Sequence, residues 1–264
     1  MSQECTDNGD CESHCRLECS GIWGGIHNRD LDITAGKVMA SIYSSACDGG
    51  KGGDIYYFGV CRDDRITRLA IADVIGHGQT VAQVSQFVYD SLRTHMCDLD
   101  SRTILGSVNE LVSGRGLEAM TTAAVIAYHS EQGAASISYA GHPPILYSHV
   151  ADKDWKFATP QDDNVQGAGA LTNVPLAIAP DALYGNLNIP VASGDRLFVY
   201  TDGITEACTP EGDPFGHERL KDTLDANRDA PISQLKAAVV ETLRQHTQAG
   251  LSHDDVTLIA LEIS

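Results

Sequence analysis

Runs of β-branched and aromatic residues in this chain come in groups, and the amphipathic stretches come in pairs between the groups. KVMASIYSS from residue 37, DIYYFGV from residue 54 and ITRLAIADV from residue 66 all precede any helical pattern and read as neighbouring strands. Two amphipathic helices follow, about Thr80 to His95 and about Ser101 to Val112. The second carries Ile104, Leu105, Val108 and Leu111 along one stripe, and Asp100 or Ser101 suits its N-cap. A second group, MTTAAVIAYHS, AASISYAGH and PILYSHV, is divided by turn signals at Gln132-Gly133 and at Gly141-His142-Pro143-Pro144 and reads as an antiparallel meander. NLNIPVA and DRLFVYTDG are further strands. A short helix spans about His217 to Asp225, a longer one opens at Pro231, and DVTLIALEI is a final strand. Strict strand-helix alternation would indicate a parallel sheet; this grouping calls for layered antiparallel sheets with helices outside.

A chain of 264 residues can bury a sizeable core and suits one large domain. No boundary shows after residue 30, so residues 1–30 read as a cysteine-containing leader and residues 31–264 as the domain. Residues 151–173 are polar and without periodicity, which predicts a long loop or flap. The formal charge of -18 disfavours nucleic acid and anionic membrane as partners and favours a bound cation. No apolar run is long enough to cross a bilayer, and MSQECTDNGD has neither the basic start nor the apolar stretch of a signal peptide. The expectation is a cytoplasmic protein with reduced thiols. Cys5, Cys11, Cys15 and Cys19, with His14, offer zinc ligands in principle, but they lack paired Cys-x-x-Cys knuckles and read better as incidental thiols on a tail.

Four sites share one grammar, an aspartate at the end or start of an apolar strand beside glycine or another aspartate. They are Asp54 in KGGDIYYFGV, Asp73 in LAIADVIGHG, Asp202 in LFVYTDGITEA, and Asp254 with Asp255 in SHDDVTLIALEI. Singly, each is an ordinary turn former, cap or solvated strand end. Together they should converge on one sheet end. Oxygen-only ligands of high negative charge suit Mg²⁺ or Mn²⁺ better than zinc, and two such ions about 3.5 to 4 Å apart can activate water for attack on a phosphoryl group. That chemistry needs no protein nucleophile.

GGDIYY, IADVIGHG, TTAAVIAY, YAGHPPILY, VPLAIAP, GDRLFVYTDGITEA, PFGHERL and HDDVTLIAL, in this order and spacing, resemble the metal-dependent protein phosphatases (PPM family), in their bacterial SpoIIE-type branch. The likeness covers roughly residues 37 to 264. It implies an α+β fold, a four-layer α-β-β-α sandwich of two antiparallel sheets flanked by helices, with two Mn²⁺ or Mg²⁺ ions at one edge. It places Asp73 as the bridging ligand with the Val74 carbonyl beside it, Asp54 on one metal, and Asp202 and Asp254 on the other, Asp254 being preferred over Asp255. Gly53 and Gly203 would let the backbone pass close to the ions. Departures stand out as well. Tyr57 occupies a position where many relatives carry an aspartate, and Ile75 stands where the eukaryotic branch has a histidine. His77 and His142 read as structural, and Arg29 is a weak candidate for holding phosphate.

The implied activity is hydrolysis of phosphoserine or phosphothreonine on a regulatory protein, an anti-sigma-factor antagonist in partner switching, docked against residues 151–173 and CTPEGDPFGHERL. The alternative is a catalytically weak or silent module that binds a phosphoprotein. A haloacid-dehalogenase reading of FVYTDGIT fails because Tyr200 and Ile204 stand where a second aspartate is needed, and no Gly-x-Ser-x-Gly elbow supports a serine hydrolase.

Overall fold

A computed structural model describes residues 19–61, 64–76, 81–152, 154–159, 166–167, 173–248, 251 and 253–264. Two antiparallel sheets face each other. The first contains, in spatial order, β1 (Cys19–His27), β4 (Lys51–Cys61), β5 (Ile66–Val74), β6 (Thr121–His129), β7 (Ala134–Ala140), β11 (Leu187–Pro190) and β10 (Gln166–Gly167). The second contains β2 (Arg29–Ala35), β3 (Val38–Ser45), β13 (Val256–Ile263), β12 (Arg196–Tyr200), β8 (Leu146–Ser148) and β9 (Lys156–Phe157). Helices α1 (Ala82–His95) and α2 (Ser101–Ser113) cover the first sheet. A short α3 (Asp202–Thr205), α4 (Gly216–Ala226) and α5 (Ile232–Thr247) belong to the second side. This is the α-β-β-α sandwich.

The period of two along each strand explains the layering. On β4, Tyr56, Phe58 and Val60 point between the sheets and meet Ile42, Val199 and Ile259, while Ile55 and Tyr57 point outward against Val88, Leu92 and Ile104 of the helices. Tyr57 is thus a core residue on the helix side. Both faces of β4 are covered, so all its residues after Lys51 are buried. On the other side Phe198, Tyr200 and Leu258 pack against Leu220, Leu235, Val239 and Leu243. Among the described residues no helix is long and apolar enough to cross a membrane.

Several expectations are corrected. KVMASIYSS and DIYYFGV are not neighbours: β3 pairs with β2 and β13, and the glycine-rich stretch after it carries the chain across to the other sheet. The meander is also broken, because the Gly141-Pro144 corner leads from β7 in one sheet to β8 in the other. Gly141 holds φ +69°, and a Cβ there would stand 2.5 Å from Pro175 Cγ, so only glycine fits. Residues 19–27, expected in the leader, form β1 against β4, and a boundary at residue 30 would cut β2. CSGIWGGIH hides this strand because its glycines dilute the alternation.

On α2, Leu111 is exposed and Val112 closes the stripe with Ile104, Leu105 and Val108, because 104, 108 and 112 repeat at four residues. Asp100 is the N-cap, accepting from the Arg102 amide, and Pro231 is the residue before α5 rather than its first. Cys97 is disulfide-bonded, which corrects the expectation of reduced thiols at that position; Cys208 is an exposed free thiol. Cys5, Cys11, Cys15, His14 and His77 lie outside the described residues, as does much of the 151–173 segment.

Candidate metal centre

Antiparallel pairing places the end of one strand beside the start of the next. Asp54, near the start of β4, is therefore the direct cross-strand partner of Asp73, near the end of β5. In the second sheet β12 ends at Tyr200 and β13 begins at Val256, with Tyr200 opposite Leu258. Asp202, opening α3, and Asp254-Asp255, preceding β13, thus leave the same end of that sheet. The sandwich then brings the two ends together.

Hydrogen bonds between the sheets fix that approach. Thr201 Oγ1 donates to Asp54 Oδ2 at 2.8 Å and accepts from the Thr257 amide at 3.0 Å. Asp255, 2 % exposed, accepts the Cys47 amide on Oδ1 at 2.8 Å and the Gly53 amide on Oδ2 at 2.5 Å. Asp255 is therefore a clamp on the approach to Asp54. Asp254 is half-buried, and its Oδ1 accepts the Asp255 amide at 2.8 Å. His253 Nε2 lies 2.8 Å from the Gly203 carbonyl, tying the Asp254 loop to the Asp202 turn. His142 is buried, with Nε2 3.0 Å from the Tyr200 carbonyl and Nδ1 3.2 Å from Thr122 Oγ1.

Two glycines admit this crowding. A Cβ at Gly53 would stand 2.7 Å from the Gly76 carbonyl, 2.8 Å from the Val74 carbonyl and 3.2 Å from Asp73 Oδ1, so three oxygens converge on its bare Cα. A Cβ at Gly203 would collide with the Asp255 carbonyl. Gly76, at φ +93°, makes the turn that follows Asp73.

The electrostatics are one-sided. Burial, and then the charges of Asp54, Asp202, Asp254 and Asp255, push the Asp73 carboxyl well above the usual carboxylate range. Burial raises Asp54 against hydrogen bonds from Thr201 and Thr257, and the charges of Asp255 and Asp202 add to the rise. Asp202 is raised by burial, then by Glu206 and Asp254. Like charges gathered in a low dielectric oppose one another's ionisation, and bound cations relieve them. The donor set of carboxylates and backbone carbonyls fits Mg²⁺ or Mn²⁺. Among the described residues, no group of three or more His, Cys, Asp or Glu side chains already stands as a ligand cage. The fold brings these side chains into one electrostatic neighbourhood, and Val74 adds its carbonyl there.

Other residues fall elsewhere. Arg29 is exposed at the start of β2 and bonds the Tyr56 hydroxyl. Ile75 is exposed, its amide donating to the Met120 carbonyl at 2.9 Å. Thr201, Thr257 and the clamping role of Asp255 were missed from sequence. Thr201 lies within the YTDG motif, but a threonine that crosses between sheets carries the same local pattern as any strand threonine.

Comparison with known proteins adds four findings. The family model described as Stage II sporulation protein E (SpoIIE) matches residues 63–264. Phosphoserine phosphatase RsbU of Bacillus subtilis (strain 168) is 26 % identical over 235 residues, covering 88 % of this chain and 63 % of the relative. The chain thus spans less than two thirds of that relative's length. Among solved structures, the RsbU and RsbW domains of Rv1364c from Mycobacterium tuberculosis superpose with a TM-score of 0.72 at 22 % identity, covering 90 % of this chain and 62 % of that one. The catalytic domain of serine threonine protein phosphatase PstP, in complex with 2 manganese ions, superposes with a TM-score of 0.56 at 13 % identity, covering 86 % and 98 %. Both superpositions concern the fold.

Proposed function

This chain belongs to the SpoIIE family, and on that premise we propose that it is a metal-dependent protein phosphatase acting on phosphoserine or phosphothreonine. The observation that carries the reading is the placing of Asp73 opposite Asp54 within the field of Asp202 and Asp254. We assign Asp54, Asp73, Asp202, Asp254 and the Val74 carbonyl as ligands of two Mn²⁺ or Mg²⁺ ions. Bound there, the ions supply Lewis-acid activation of water and neutralise charge on the phosphoryl group.

The chain's own residues set up that chemistry. Asp73 stands opposite Asp54 in the β4–β5 pairing, and the charges of Asp202 and Asp254 reach it. The Thr201 hydroxyl holds Asp54 Oδ2, and the Thr257 side chain also bonds this carboxylate. Asp255, with both oxygens on backbone amides, holds the loop entering Asp54 and is a support rather than a ligand. Water activated by two such ions can attack the phosphoryl group directly, so the proposed hydrolysis needs no covalent protein intermediate.

The proposed substrate is a folded phosphorylated regulatory protein, specifically an anti-sigma-factor antagonist. The similarity to a protein called a phosphoserine phosphatase and to one that carries an RsbW domain supports it. Selectivity then comes from docking beside the site rather than from the reacting groups. Purified protein should release nitrophenol from p-nitrophenyl phosphate only with Mn²⁺ or Mg²⁺, and Asp73→Asn should remove that activity. Binding of Mn²⁺ without phosphate release would identify a silent phosphoprotein-binding module instead. A kcat/KM on the phosphorylated antagonist no better than on a peptide copy of its phosphosite would sink the docking claim.

A further inference from the structure

We propose that His142 is a positioning residue that latches Thr122, the cross-strand neighbour of Asp73, to the strand end leading to Asp202, and so sets the separation between these carboxylates. This rests on the metal-dependent reading above for what the separation serves.

The geometry uses both ring nitrogens, one for each sheet. A carbonyl can only accept, so the 3.0 Å contact between Nε2 and the Tyr200 oxygen places the ring proton on Nε2. Nδ1 is then the acceptor, and the Thr122 hydroxyl, 3.2 Å away, donates to it. Burial pushes the imidazole down to about 4, so the ring is neutral, with this tautomer, at physiological pH. Thr122 is the direct cross-strand partner of Asp73 in the β5–β6 pairing. Tyr200 is the last residue of β12, two before Asp202. The backbone that carries the ring is itself pinned: Gly141 needs its positive φ, and its amide donates to Asn173 Oδ1 at 2.6 Å. A ring anchored at both ends couples β6, paired with the strand of Asp73, to the end of β12 that leads to Asp202. His142 touches none of the proposed ligands, so its effect must run through Thr122 and Tyr200.

The test uses His142→Leu, which removes both bonds, His142→Gln, whose side-chain amide can keep the donor to Tyr200, and Thr122→Val, which removes only the Nδ1 partner at constant volume. Three readouts are taken: Mn²⁺ affinity by calorimetry, amide hydrogen exchange over residues 199–205, and the split of kcat and KM on p-nitrophenyl phosphate. We expect His142→Leu to weaken Mn²⁺ binding about 10- to 100-fold, the range for loss of an outer support of a metal site, with faster exchange at 199–205 and a fall in kcat larger than the change in KM. His142→Gln should regain most of the affinity. Thr122→Val should lose less in the same direction, and it decides the matter if His142→Leu does not fold. Wild-type affinity and exchange in a folded His142→Leu or Thr122→Val protein overturns the latch, as does a loss that follows global stability and is not recovered by glutamine. If the wild-type protein binds no Mn²⁺, the metal reading fails, and the exchange data alone decide whether His142 joins the two strand ends.

Discussion

The hydroxyl of Thr201 donates to Oδ2 of Asp54 at 2.8 Å across a separation of 147 residues, joining the end of β12 to the start of β4. The same oxygen accepts the Thr257 amide, so one buried hydroxyl serves a carboxylate and a backbone group from two further strands. Thr201→Val keeps the volume and removes both bonds. It should cost about 1–3 kcal/mol, as expected for a buried amide left without an acceptor, and should weaken Mn²⁺ binding because Asp54 is no longer oriented. Urea denaturation with a parallel Mn²⁺ titration checks this; unchanged stability and affinity would show the bond to be incidental.

Repulsion among the carboxylates makes a less obvious prediction. Asp54, Asp73 and Asp202 titrate above the ordinary range in the folded protein, chiefly through burial and then through their neighbours' charges. A raised carboxyl contributes stability that is fully present below the unfolded-state value of about 3.9 and is lost as pH rises through the folded value. In EDTA, therefore, Asp73→Asn should melt at a higher temperature than wild type, with the gap widening above about pH 4. Mn²⁺ should raise the melting temperature of wild type far more than that of the variant. Melting curves across pH with and without Mn²⁺ test both halves, and a variant less stable than wild type in EDTA at pH 8 would contradict the repulsion argument.

The adjacent acids Asp254 and Asp255 should separate by phenotype. Asp255→Ala leaves the Cys47 and Gly53 amides without their acceptor and should destabilise the protein by about 1–3 kcal/mol for each buried amide left unpaired. Asp254→Asn should fold as well as wild type while losing Mn²⁺ affinity and phosphatase activity. Reversal of these two outcomes would exchange the roles of ligand and clamp.

Gly53→Ala tests the close approach beside Asp73. A methyl group placed 2.7 Å and 2.8 Å from the Gly76 and Val74 carbonyl oxygens must displace one of them, the first in the turn after β5 and the second at the end of β5 beside Asp73. Activity and Mn²⁺ affinity should fall together, with secondary structure by circular dichroism intact. An alanine variant with wild-type turnover would show that the turn can yield at no cost to the centre.

Much of this arrangement was legible before folding was considered. Asp54, Asp73, Asp202 and Asp254 stand out because each ends or begins an apolar strand, and antiparallel pairing turns that placement into proximity. The partners of those strands were not legible. Alternation on β3 and β4 states which residues face inward, and both strands do face the central core, but it does not say whether they pair edge to edge or pack face to face. The edge strand β1 escaped notice because Gly24 and Gly25 break its pattern, and Leu111 was placed inside because an i+3 step and an i+4 step look alike until the helix is docked. The cross-sheet bonds of Thr201, Asp255 and His142 depend on the separation of two sheets, a tertiary quantity to which no local window has access.

β13 follows the other described strands in chain order yet occupies the middle of its sheet, between β3 and β12. Its Thr257 bonds Ser44 of β3 across 213 residues. At a synthesis rate of about 5–20 residues per second, β3 waits roughly 10 to 40 s on the ribosome for its partner, and β12 shares part of that wait. For that interval the nascent polypeptide carries two open strand edges where one strand will later fit. Translation thus acts as a timer: until β13 emerges, the facing edges of β3 and β12 stay open, and open strand edges are where chains pair with their neighbours.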